Sequence, residues 1–279
     1  LCRDKIAARG LRKWLYTKLA WNWQDTEVQK NRLNKIIAFF AVFLTLLVVT
    51  VHTVVSWIFG MTIQPGWHST IIGPYFLVGA IFSGVAAVVI VVTILRKIFK
   101  LEEYIKPVHY DNLGKFLLAF ALLWFYMTFA EYLTTFYGQE QAHMSVFKAK
   151  FFGEFSGLFW LMLSLCFVLP LIILIRKKTR TISNLVVASI SINIGMWLER
   201  FLVIVPSLTR PRLPYSQGIY SPTWVEWSIT AACFAGLILL YLIFAKLFPV
   251  ISIWEMKEGK EMAIQEVSDR YKSYQPEII

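Results

Sequence analysis

The stretch from Ile36 to Gly60 reads IIAFFAVFLTLLVVTVHTVVSWIFG and contains no Asp, Glu, Lys or Arg. A helix needs about 20 mostly apolar residues to cross the roughly 30 Å hydrocarbon core of a bilayer. Inside lipid only helices and closed barrels satisfy the backbone, and barrel strands alternate polar and apolar residues over about ten positions. This run is longer and continuously apolar, so it predicts a transmembrane helix.

Five further runs have the same character. The six predicted spans cover residues 36–60, 74–95, 116–138, 151–175, 182–206 and 223–248. The composition agrees, because 57% of the residues are hydrophobic and only 16% are charged, against roughly a quarter in soluble domains. The predicted fold is all-α, a polytopic transmembrane helical bundle. Residues 1–35 are predicted to be a basic cytoplasmic segment, 36–248 the transmembrane domain and 249–279 a cytoplasmic tail.

The positive charges alternate between the two sides of the predicted bundle. Of the 28 Lys and Arg residues, 23 precede the first span, follow the second, lie between the fourth and fifth, or lie at the end of the sixth span and in the tail. Four lie in the other loops, and Arg200 lies inside the fifth span. The positive-inside rule therefore places both termini in the cytoplasm. The net charge of +11 then needs no nucleic-acid partner, since membrane topology accounts for it.

Sequence motifs for bound redox cofactors are missing. The three cysteines are scattered, and His52 is the one histidine well inside a span, so neither an iron–sulfur cluster nor a bis-histidine haem is expected. There is also no nucleotide-binding glycine motif. We therefore expect no haem and no metal in this chain, and any electron carrier should belong to a partner or be a diffusible molecule such as a quinone.

Ionisable residues within lipid are costly and are commonly functional. In the predicted topology all of them fall in the extracytoplasmic portions of the spans; they are His52, Glu131, Glu154, Glu199, Arg200 and Glu226. A simple membrane anchor does not require this asymmetry. Glu154 and Glu226 lie near the interface, where solvation alone can explain them.

Helical spacing groups some of these residues into polar faces. Ser189, Asn193 and Arg200 share one face of the fifth span, and His52 and Glu131 lie on similar faces of the first and third. Hydrogen bonds between helices explain the hydroxyl and amide residues. A functional role is favoured for Glu131 and Arg200. The candidate residues for quinone binding or proton transfer are His52, Glu131, Arg200, Glu199, Asn193 and His68.

Several blocks of sequence resemble the NrfD/PsrC (polysulfide reductase) family of membrane subunits. They are HTVVSW at 52–57, PGWHST at 65–70, GPYF at 73–76, EYL at 131–133, MWLERF at 196–201, RLP at 212–214 and PTWVEWS at 222–228. Within the family the chain is most similar to the quinol-interacting subunit of alternative complex III. Where that subunit typically carries Asp, this chain has Ile58, which favours a related oxidoreductase.

This resemblance implies a subunit of a respiratory oxidoreductase in the bacterial or archaeal cytoplasmic membrane. Such subunits exchange electrons between menaquinone or ubiquinone and an extracytoplasmic iron–sulfur subunit, which serves molybdopterin or cytochrome subunits. The resemblance does not make the chain an enzyme by itself. Family members generally have eight to ten spans, so the chain is expected to lack an N-terminal part. The alternatives are a secondary transporter or channel, for which paired helix breaks are weak here, and a structural anchor without a redox role.

Overall fold

The computed structural model of the chain describes residues 10–20, 23–24, 26–210 and 220–248, together with positions 259, 264, 265 and 268. Within these residues all regular elements are helices, which confirms the predicted all-α class. Nearly all of the predicted tail 249–279 and the whole block at 212–214 lie outside the described residues.

The described part of the chain forms nine α-helices and one π-helical segment. They are α1 (Leu11–Leu19), α2 (Glu27–Gly60), α3 (Ile72–Ile98), α4 (Pro107–Gly138), α5 (Gln141–Phe151), α6 (Ser156–Leu163), the π-helical segment (Ser164–Val168), α7 (Leu169–Leu174), α8 (Ile182–Thr209) and α9 (Trp224–Leu247).

Within the described residues, six helical stretches are long and apolar enough to cross a membrane, which agrees with the predicted number of spans. They are α2, α3, α4, α6 continued through α7, α8 and α9. The helices α2 and α4 each begin nine residues before the predicted span, because helical geometry continues into the polar flank. The predicted fourth span, 151–175, begins too early. Residue Phe151 is the last residue of α5, and the helix of the span begins at Ser156 after a short break.

The chain divides into two compact units, Leu1–Val42 with Ser221–Ile279, and Phe43–Tyr220. In the first unit, the hydroxyl of Tyr16 donates a hydrogen bond to the carbonyl oxygen of Leu247, 2.6 Å away. At the start of α9, Glu226 accepts a hydrogen bond from the Thr223 backbone N–H, and so forms a capping box. This gives Glu226 a structural role at a helix end.

The core of the second unit is formed by α3, α4, α6, α7 and α8. Its fully buried side chains include Phe82, Leu117, Trp124 and Ile192. The apolar stretches of α2 and α9 are not buried by the described residues. The four spans containing α3, α4, α6 with α7, and α8 therefore form the core of the second unit. The helices α2 and α9 present apolar surface suited to lipid or to other chains.

A local change of helix type lies in the fourth span. Residues 164–168 are π-helical, and Pro170 follows at once in α7. Proline has no N–H and crowds the preceding turn, which explains a widened turn here. The hydroxyl of Ser191 donates to the freed carbonyl oxygen of Leu165 at 2.7 Å. At Gly195 an added Cβ would lie 2.5 Å from the sulfur of Cys166, so glycine lets α8 approach closely.

Ion pairs lie at both ends of the second unit. At the end where α4 begins, Asp111 pairs with Lys115 at 2.7 Å and with Arg180 at 3.3 Å. At the other end, Arg210 pairs with the exposed Glu154 at 2.8 Å. Glu154 therefore has a surface partner of its own, as its predicted position near the interface suggests.

Candidate functional site

A cavity lies at the end of the second unit where α4 meets α5. Its walls come from the end of α2, from α3, α4, α5 and α8, and from the loop of residues 61–71. The cavity has a volume of about 90 Å³ open to water-sized molecules. One water needs roughly 10–15 Å³ of such volume, so the cavity has room for several waters or for a small flat group.

The carboxylate of Glu131 faces this cavity from the last two turns of α4. It accepts a hydrogen bond from the hydroxyl of Ser69 on the 61–71 loop. The loop is held in place by the indole N–H of Trp67, which donates to the carbonyl oxygen of Val203 at 2.8 Å. Gly66 has a φ of +84°, in the left-handed region that favours glycine. The turn at Gly66 and the Trp67 anchor thus set the position of the partner of Glu131.

Lys150 enters the cavity from α5, the short helix outside the six spans. Its side chain is buried, and its Nζ lies 3.5 Å from the hydroxyl of Tyr132 and 5.6 Å from the centre of that ring. Burial lowers the pKa of Lys150 to about 8, while Glu199 and Glu131 favour its charged form. An ammonium group with a pKa this low can gain or lose a proton near neutral pH.

Arg200 lines the cavity from α8 and contacts α3. Its guanidinium carbon lies 3.8 Å from the centre of the Phe76 ring, a cation–π contact, and its Nε lies 3.3 Å from Oε2 of Glu199. Nη1 of Arg200 is buried and makes no hydrogen bond to the described residues. An added Cβ on Gly79 would come within 2.9 Å of Nη2, so glycine in α3 leaves room for the guanidinium. Arg200 therefore has one hydrogen-bond donor that the described residues do not use.

The rest of the lining is mainly apolar or aromatic. These residues are Phe59, Ile71, Ile72, Tyr75, Phe76, Val146, Phe147, Val203 and Ile204. The cavity thus combines a carboxylate, an ammonium, a guanidinium and phenol groups with a hydrophobic wall. Such a site can hold a flat apolar ring, donate hydrogen bonds to its oxygens, and exchange protons with it.

The structure brings some of the sequence-predicted residues together and leaves others apart. Glu131 and Arg200 line the same cavity, and Glu199 is buried directly behind Arg200. His52 is not part of the lining; its Nδ1 lies 2.8 Å from the carbonyl oxygen of Val48 in its own helix. Asn193 is also outside the lining and donates to the Ser189 carbonyl oxygen at 3.0 Å. The functional roles of all these residues stay predictions.

His68 lies on the 61–71 loop beside the mouth of the cavity. Its Nε2 is 3.0 Å from Nε2 of His143, and the two rings meet edge to face with centres 4.4 Å apart. His143 lies in α5, also lines the cavity, and has its Nε2 3.6 Å from Oε2 of Glu140. The sequence singled out His68 but not its two neighbours.

Sequence reasoning missed Lys150, Tyr132 and Ser69. In the predicted topology Lys150 is a loop charge, because α5 is short and lies between two spans. A usable signal is present, since the apolar residues Val146, Phe147 and Ala149 before it indicate a helix that packs against the bundle. Ser69 could not be found from periodicity, because it lies in an irregular loop.

Comparison with known proteins gives two findings. The family model described as "Polysulphide reductase, NrfD" matches residues 3–212. The chain is also similar to a selenate reductase subunit from Mesobacillus selenatarsenatis, with 26% identity over 219 residues. That alignment covers 73% of this chain and 49% of the relative, so the chain spans about half the length of the relative.

Proposed function

The chain belongs to the NrfD, or polysulphide reductase, family of proteins, and we propose that it is the quinone-interacting membrane subunit of a reductase complex. In this proposal the chain lies in a bacterial or archaeal cytoplasmic membrane. It exchanges electrons between a membrane quinone, menaquinone or ubiquinone, and an extracytoplasmic iron–sulfur subunit. The terminal reaction belongs to a molybdopterin or cytochrome subunit of the same complex.

The observation that carries the proposal is the cavity bordered by Glu131, Lys150 and Arg200. A quinone is an apolar ring with two carbonyl oxygens, and its reduction to the quinol takes up two electrons and two protons. A site for it needs a hydrophobic wall, donors to the oxygens, and groups that exchange protons. All three requirements are met by side chains of the second unit.

Each polar group has a task in this proposal. Arg200 stays charged and donates to a carbonyl oxygen from its guanidinium, which lines the cavity. Glu131 transfers a proton, with the Ser69 hydroxyl holding its carboxylate in place. Lys150 donates to the other oxygen and exchanges its proton near neutral pH. Phe76 and Phe59, which stack on each other with ring centres 6.2 Å apart, supply part of the apolar wall beside the quinone.

The relative supports a role within a multi-subunit enzyme, because it is itself one subunit of a selenate reductase. We extend to this chain the role of membrane subunit in a reductase, and we assign the choice of final electron acceptor to the partner subunits. Two electrons leave each quinol for the partner, and two protons leave through groups of the cavity.

Photolabelling tests the proposed site directly. A photoreactive quinone analogue added to the native complex should attach to peptides of α4, α5 or α8 around the cavity. Excess quinol should prevent this labelling, because both compete for one site. The Arg200→Leu variant should show weaker, poorly protected labelling. Labelling confined to α9, or unchanged by excess quinol, would contradict the proposal.

The orientation of the chain is a second testable part. The loop of residues 61–71 and the start of α5 should face outward, because 23 of the 28 basic residues lie in segments of the opposite side. A cysteine placed at Ser69 should react with a membrane-impermeant reagent added to intact cells. A cysteine at Thr179 should react only after the membrane is opened. The reverse pattern would invert the topology.

A further inference from the structure

We propose that His68, Glu140 and His143 form a binding site for a divalent metal ion of the zinc class at the mouth of the cavity. The three ligand atoms, two imidazole nitrogens and one carboxylate oxygen, all lie within 4.8 Å of one another. Two imidazoles and a carboxylate are a ligand set that zinc accepts, with a fourth position left for water. This inference departs from the expectation, drawn from the sequence, that the chain holds no metal.

The spacing of the ligand atoms fits such an ion. Zinc lies about 2.0–2.1 Å from imidazole nitrogen, so neighbouring atoms of a tetrahedral site are about 3.3 Å apart. The observed distances to Nε2 of His143 are 3.0 Å from His68 and 3.6 Å from Glu140, one on each side of that value. A small rotation of the exposed Glu140 side chain would complete the set.

The backbone brings the ligands together from two segments. Gln139 has a left-handed φ of +51° and ends α4, so the chain reverses into α5 at once. Glu140 and His143 then lie three residues apart on one side of the first turn. His68 follows Gly66 and the anchored Trp67 on the opposite segment. The ligands are therefore held by two fixed turns.

A hydrogen-bonded cluster without metal explains the contacts less well. Nε2 of His143 carries either one hydrogen or one lone pair, yet both His68 and Glu140 converge on it. A single N–H could reach both only as a three-centre hydrogen bond, in which His68 and Glu140 share the same hydrogen. A cation between the three atoms accepts a lone pair from each of them, which accounts for the convergence.

A bound ion would link the 61–71 loop to α5. Ser69, the partner of Glu131, lies on that loop, and Lys150 lies in α5. Metal binding should therefore stiffen the mouth of the cavity and raise the melting temperature of the protein. This expectation concerns the folded chain and does not depend on the proposed quinone chemistry.

Metal titration of the full chain tests the site. The protein, purified in detergent through an affinity tag without histidines and stripped with a chelator, is titrated with Zn²⁺ against a chromogenic chelator. We expect one high-affinity ion per chain. Co²⁺ should give the intensified visible absorption of a tetrahedral site. The His68→Ala, Glu140→Gln and His143→Ala variants should each weaken Zn²⁺ binding by at least about tenfold, the smallest loss usual for an outer-shell partner.

His109→Ala is the matched control, because His109 lies at the far end of α4 and outside the cluster. It should bind Zn²⁺ like the parent chain. The proposal is overturned if the parent chain binds no Zn²⁺ more tightly than the His68→Ala His143→Ala double variant. It is also overturned if His109→Ala weakens binding as much as the cluster variants. Because the parent chain itself supplies the Co²⁺ spectrum, poor folding of a variant does not remove the test.

Discussion

Replacing Glu131 by glutamine should leave the complex assembled and lower its quinol turnover by roughly ten- to a thousandfold, as expected for losing a general acid–base group. Glutamine keeps the size of the side chain and can still accept a hydrogen bond from Ser69. It cannot take up or release a proton. A loss of turnover with normal assembly therefore reports proton transfer by the carboxylate.

The matched control is Glu154→Gln. Glu154 is exposed near the same end of the second unit, where it pairs with Arg210. Exposed ion pairs contribute little to stability, so this variant should assemble and turn over like the parent protein. Turnover is measured with a soluble quinol analogue in the isolated complex, at saturating and at limiting quinol. A defect in the chemical step lowers turnover at saturation, whereas a binding defect appears mainly at limiting quinol.

Arg200→Leu completes this comparison. It removes the guanidinium that contacts Phe76 and leaves the Glu199 carboxylate buried without its pair. If Glu131→Gln and Arg200→Leu both assemble and turn over at the parent rate, the embedded charges are structural. The quinone chemistry would then belong to another part of the complex.

The spans could be predicted from the sequence because their signal is local. Hydropathy over about 20 residues is set by composition alone, and it predicted the six candidate spans of the described residues. The predictions were wrong mainly at the boundaries of the spans. The flank 27–35 is polar and yet helical in α2, because a helix continues in water beyond the lipid boundary. The break before Ser156 falls inside an apolar run, where hydropathy does not change.

The candidate site could be predicted only in part, because it is assembled from distant segments. Glu131 and Arg200 stood out as charges within apolar runs, and they line the cavity. Lys150 and His143 did not stand out from their sequence neighbours, because α5 contains both polar and apolar residues. His52 also stood out as an ionisable residue in an apolar run, but it lies outside the lining of the cavity. Helical spacing shows which residues share a face of a helix, but it does not show which neighbouring helix that face contacts.

The pair of His68 and His143 illustrates the same limit. The residues are 75 positions apart, so the short spacing of Glu140 and His143 does not reveal that His68 joins them. Their contact depends on two turns, at Gly66 and at Gln139, whose positive φ values no hydropathy pattern contains. A contact between the 61–71 loop and α5 can therefore be recognised only from the folded structure.

Replacing Lys150 by methionine should lower quinol turnover by roughly ten- to a hundredfold, which corresponds to the loss of a hydrogen bond from a charged donor, about 1.5–3 kcal/mol. Methionine fills much of the same space and leaves the Tyr132 ring packed. Lys148→Met is the matched control. It lies two residues earlier in α5 and is exposed, so its variant should retain the parent turnover.

The pH profile separates a role of the Lys150 charge from simple packing. Burial lowers the pKa of Lys150 to about 8, so its ammonium form is complete well below pH 8 and is lost as the pH rises through that value. If the ammonium donates to the quinone oxygen, turnover of the parent complex should fall on the alkaline side of about pH 8.

Lys150→Arg decides between a charge role and a packing role, because a guanidinium remains charged at every accessible pH. This variant should lose the fall near pH 8 and keep measurable turnover above it, while Lys150→Met should be slow throughout with no inflection there. Persistence of the alkaline fall in Lys150→Met would assign the titration to another group. Parent turnover in Lys150→Met would mean that the buried ammonium serves only to neutralise Glu131 and Glu199, whose negative charges favour its protonated form.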